Sequence, residues 1–103
     1  MNREQADKII DIIKTGADIR GDFFSDSGAC VLGSLYNAID KGEDEDGKVA
    51  YVGIFCRIRT HYDMTTRQSW KLSSVNDAHA EVGPRREALI SLVEAWMIEE
   101  WMA

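Results

Sequence analysis

The sequence predicts a mainly α, compact bundle of about four helices, with residues 48–60 readable as a strand instead of a helix. Three observations predict it. Apolar residues recur at three- and four-residue spacing in three separate stretches, the mark of a helix with one buried face. The first and last of these stretches carry explicit helix-start chemistry. Finally, 103 residues, 45% of them hydrophobic and 29% charged, suffice for one core and one domain spanning 1–103, but not for two.

The first helix has both ends marked. Asn2 and Gln5 stand at capping-box spacing, the first side chain accepting from a free amide and the second reaching back. Ala6, Ile9, Ile10 and Ile13 then define one apolar face, and Gly16 supplies a left-handed position to end it. Residues 16–28 read as a loop that Phe23 and Phe24 pin to the core, each ring worth about 2 kcal/mol on burial. A second helix is expected from near Ser27 to about Asp40, with Ser25, Asp26 and Ser27 as candidate caps. Its stripe is Leu32, Leu35, Tyr36 and Ile39, while Gly33 and Ser34 lower its propensity and fit close packing against a neighbour. Gly42 ends it, and residues 41–47 follow as an exposed acidic loop.

Residues 48–60 have two readings. As a strand, Ile54, Cys56 and Ile58 face inward; as a helix, Tyr51, Phe55, Ile58 and Tyr62 share a side. Gly53 and the β-branched content favour the strand, but a lone strand has no partner to pair with, so helix is preferred. Residues 63–83 read as polar and irregular, anchored by Trp70 and Leu72. The last helix opens at Gly83 and Pro84, where a missing amide does no harm, and carries Leu89, Leu92, Val93, Trp96 and Met97 on a wide stripe.

Charge and composition exclude several functions. No stretch approaches the roughly 20 apolar residues of a membrane helix, and the polar start is not that of a secretory signal, so a cytoplasmic location is expected. There both Cys30 and Cys56 should be thiols. The net charge of −6 lies in the first half, where residues 1–47 hold 11 acidic and 5 basic side chains against 7 of each in residues 48–103. Such a surface repels phosphates, so direct nucleic-acid binding is not expected, although Arg57, Arg59, Arg67, Arg85 and Arg86 can form a local basic patch.

Candidate chemistry centres on Cys30, which the expected helix puts in its first turn, where free amides stabilise a thiolate. A thiol nucleophile would use His61 or His79 as base and Asn76 or Asp77 as orienter, giving a hydrolase or transferase. A small buried core cysteine is the preferred reading. The run Asn76, Asp77, Ala78, His79 could serve a metal or acid–base chemistry, but reads better as a polar turn. The acidic loop fails as a calcium site, since Gly42 and Gly53 occupy its first and twelfth positions. No metal or cofactor is expected. Trp101 and Met102 extend the apolar surface of the last helix beyond what a small bundle can bury, which suggests a homo-oligomer or partner contact.

Cys30, Val31, Leu32, Gly33, Ser34 and Leu35, followed by Asn76 and Asp77 and then a terminal amphipathic helix, carry a resemblance spanning about residues 4–97. This pattern resembles an uncharacterised family of small bacterial and phage proteins with a Cys-Ala-x-Gly-Ala-Leu helix start and a later Trp-Asn-Asp. Val31 and Ser34 replace its alanines, and Val75 stands where its tryptophan would be. The resemblance implies a helical fold and a shared structural role for Cys30, Asn76 and Asp77, but no activity.

The function expected from these readings is non-enzymatic protein binding. An acidic face centred on Asp40, Glu43, Asp44, Glu45 and Asp46 would engage a protein with a basic surface. Small acidic phage proteins that block host nucleic-acid-binding or defence machinery act in this way.

Overall fold

A computed structural model describes residues 1–20, 24–25, 28–39 and 51–102, with the side chains of 24, 25, 51, 52 and 100–102 excepted. The expected acidic face at Asp40, Glu43, Asp44, Glu45 and Asp46 lies outside the described residues, as do Phe23 and the side chains of Phe24 and Trp101. The chain is a mainly α bundle. In order it runs α1 (Arg3–Thr15), β1 (Phe24–Ser25), β2 (Gly28–Ala29), α2 (Val31–Asn37), α3 (Tyr51–Tyr62), α4 (Thr66–Ala78) and α5 (Val82–Met102).

Helix α1 starts as its sequence dictates, with the Asn2 and Gln5 side chains each bonding the other's backbone N–H at 2.9 Å. Ala6, Ile9 and Ile13 are fully buried. Its end departs from the expectation. Gly16 is extended, at φ −113° and ψ −151°, and the left-handed residue is Ala17 at φ 53°. Close approach is the reason. A Cβ at Gly16 would lie 2.5 Å from Ser34 Oγ and 2.9 Å from the Ile12 carbonyl oxygen. Glycine is therefore required where α2 touches the chain, and Ala17 takes the left-handed turn at a cost of about 1–2 kcal/mol.

The two short strands pair antiparallel, Phe24 opposite Ala29 and Ser25 opposite Gly28. They occupy part of the stretch expected to open the second helix, so α2 begins at Val31 with Cys30 as its N-cap. Although brief, α2 is central. It packs against α1, α3 and α4, and Val31, Leu32 and Leu35 are fully buried.

Residues 51–62 are helical, with Ile54, Ile58 and Tyr62 forming the buried face at four-residue spacing. The Tyr62 hydroxyl donates to the Leu35 carbonyl at 2.8 Å. The largest correction is α4, since this stretch was expected to be irregular. Thr65 and Gln68 form a second capping box, and Ser69, Leu72 and Asn76 make the buried face. Leu72 is fully buried, but Trp70 is no anchor: it is 60% exposed. Helix α5 begins at Val82, two residues before Pro84, which sits in the first turn where no intrahelical donor is lost. Leu89 and Val93 bury fully against a core to which Leu92, Trp96 and Met97 add partly buried surface. Helix α5 packs on α1 and α4.

Candidate functional site

The polar groups of the interior converge on the loop after α1. The Gly16 carbonyl accepts from Arg86 Nε at 2.7 Å and the Ala17 carbonyl from Arg85 Nη1 at 2.7 Å. The Asp18 N–H donates to the Ala29 carbonyl at 2.7 Å, and the Ile19 carbonyl accepts from Asn76 Nδ2 at 3.0 Å. Arg20 Nη1 reaches the Asp77 carbonyl at 3.4 Å. Five consecutive residues are thus held by β2, α4 and α5.

Arg85 is the centre of this arrangement. It is 2% exposed, and its remaining nitrogens donate to the His79 carbonyl at 2.9 Å and the Ala80 carbonyl at 2.8 Å. A buried guanidinium is tolerable only when its donors are satisfied. Here three carbonyl dipoles do so, joining the end of α4, the start of α5 and the α1 loop. Arg86 adds an ion pair with Asp18 at 3.1 Å. Neither arginine is available for an exposed basic patch of the expected kind.

Cys30 lies beside this loop. Its Sγ accepts from the Gly33 N–H at 3.5 Å, so the sulfur caps α2 instead of sitting in its first turn. Burial pushes the thiol above its ordinary range, and the N–H groups of Gly33 and Leu32 offset this only in part. The group is a neutral thiol at pH 7. Asn76, expected in a turn, is 1% exposed on α4, where its Oδ1 accepts from the Val31 N–H at 3.0 Å. Its amide also donates to Asp77 Oδ1 at 3.2 Å. Cys30, Asn76 and Asp77 therefore meet at the start of α2, with the Asn76 side chain committed to the Val31 and Ile19 backbone and to Asp77.

The histidines are placed elsewhere. His79 is half-buried at the C-cap of α4, where its carbonyl serves Arg85. His61 is exposed on α3, edge-on to Tyr62, and lines a shallow pocket of about 330 Å³ with Ile39, Cys56, Arg57 and Thr60. Cys56 is an exposed thiol whose sulfur accepts from Arg59 Nη2 at 3.4 Å. Among the described residues no three His, Cys, Asp or Glu side chains are placed to hold a metal ion, and no helix is long and apolar enough to cross a membrane.

Two features escaped the sequence reading. One is the arginine clamp, whose partners are backbone carbonyls and so leave no residue-type signature. The other is the exposed Trp70 ring, stacked on Phe55 of α3 with centroids 5.2 Å apart. Comparison with protein-family models, curated proteins and solved structures finds no match for this chain.

Proposed function

We propose that this is a non-enzymatic protein-binding domain that presents the acidic run at Asp40, Glu43, Asp44, Glu45 and Asp46 to a basic protein surface. The observation that carries this reading is the pairing of four other acids in the same half of the chain. Asp7 meets Arg3 at 4.0 Å, Glu4 meets Lys8 at 3.8 Å, Asp11 meets Lys14 at 3.7 Å and Asp18 meets Arg86 at 3.1 Å. Exposed pairs like the first three contribute little to stability, but they cancel one another's field. Of the seven other acids in this half, five stand in the 40–46 run.

A basic surface of the type used to hold nucleic acid is the partner such a run suits, which is how an inhibitor of host nucleic-acid-binding or defence machinery would act. The buried neutral thiol at Cys30 supports the non-enzymatic reading, because a thiol nucleophile needs an accessible thiolate. The test is calorimetric titration with an arginine-rich peptide. Replacing Glu43, Asp44, Glu45 and Asp46 together by lysine should weaken binding by roughly a hundredfold or more at low salt. An unchanged affinity would sink the acidic-face mechanism.

A further inference from the structure

The surface formed by α3 and α4 has a chemistry opposite to that of the acidic run. On α4, Arg67, Trp70, Lys71 and Ser74 are all exposed; Arg67 and Ser74 each stand three or four residues from the adjacent Trp70 and Lys71, so the four share a solvent-facing stripe. The one carboxylate of this helix, Asp77, lies at its far end, seven residues from Trp70. Trp70 is 60% exposed, and Phe55 supports it by stacking from α3. Arg59, also on α3, donates to the Phe55 carbonyl within its own helix and to Thr66 at the start of α4, which links the two helices. An exposed indole flanked by cations is the composition of a binding hot spot, where tryptophan and arginine are enriched.

We propose that this face is a second docking surface, and that its occupant is an acidic protein segment that sets an aromatic side chain against Trp70. Charge complementarity selects an anionic segment. The indole selects the ring, through stacking and cation–π contact with the flanking cations. Single-stranded nucleic acid uses the same two contacts, but it needs a longer cationic track along its phosphates. Here only Arg67 and Lys71 flank the ring on the exposed stripe, too short a cationic track for successive phosphates.

The probe is a fluorescein-labelled octapeptide, Glu-Asp-Glu-Phe-Glu-Asp-Glu-Glu, titrated with the full chain and followed by anisotropy at low ionic strength. Reversing both cations, Arg67→Glu with Lys71→Glu, should weaken binding about tenfold or more, and these exposed positions leave the fold intact. Trp70→Ala should weaken it roughly fivefold, and a probe with alanine for phenylalanine should lose affinity for the native chain but not for Trp70→Ala. The proposal is overturned by an absence of saturable binding, by affinity unchanged in either variant, or by an oligothymidylate binding more tightly than the peptide. Neutral substitution at 43–46 (Glu43→Gln, Asp44→Asn, Glu45→Gln, Asp46→Asn) should leave in place a peptide affinity that still depends on Arg67, Trp70 and Lys71, so this proposal and the acidic-face reading fail separately.

Discussion

Asn76 shows what a single residue can do when its amide is fully engaged. One side chain joins three segments, accepting from Val31, donating to Ile19 and packing at 1% exposure. Asn76→Ala leaves a buried donor and a buried acceptor without partners, and should lower unfolding free energy by about 2–3 kcal/mol in a urea titration. Gly16→Ala should also destabilise, because its new methyl meets Ser34 and the Ile12 backbone. Cys30 should resist alkylation until the protein unfolds, while exposed Cys56 reacts in the native state; mass spectrometry of the modified chain separates the two. Burial also raises Tyr62, to about 12 from 10.0, and raises Cys30 above 9.0. Both hold their protons more tightly folded than unfolded. Their stabilising contribution is complete below about pH 9 and falls away up to about pH 12, as the unfolded chain ionises first. Chemical denaturation at stepped pH should show that decline. Of these roles, only Cys30 as a small buried residue was legible in the sequence. The Asn76 and Arg85 roles were not, because both act on backbone carbonyls and amides that every residue possesses.

At the scale of elements, local chemistry placed some helix starts and missed others. The Asn2 box and the helical preference for residues 48–60 correspond to α1 and α3, and the stripe from Leu89 to Met97 faces the core. Helix α4 was missed although Thr65 and Gln68 have the same spacing as Asn2 and Gln5. Its buried face consists of Ser69, Leu72 and Asn76, two of them polar, so apolar periodicity is silent there. The start of α2 was misplaced because Cys30 and Asn76 cap it, in preference to the more orthodox Ser and Asp residues upstream. Thr65→Ala removes the bond accepted from Gln68, and should cost about 1 kcal/mol with faster amide exchange in the first turn of α4. Arg85→Lys tests the clamp. An ammonium cannot reproduce a planar three-nitrogen fork, so the variant should melt well below the native chain despite keeping its charge.

The whole molecule separates its charges. Acids and bases cancel along α1, two arginines are consumed by the loop clamp, and exposed cations collect on α4 beside Trp70. The densest run of acids, Asp40 and Glu43 to Asp46, lies in the sequence between α2 and α3. This division was half legible: the acidic run stands out in the sequence, whereas the fate of each arginine depends on tertiary contacts. The central claim is that this run binds basic surfaces through its field, and the salt dependence of affinity tests it most directly. Titrating a labelled arginine-rich peptide across roughly 20 to 300 mM salt should show affinity falling steeply for the native chain and hardly at all for the chain with lysine at positions 43–46. Equal salt dependence in the two proteins, or native binding indifferent to salt, would contradict it.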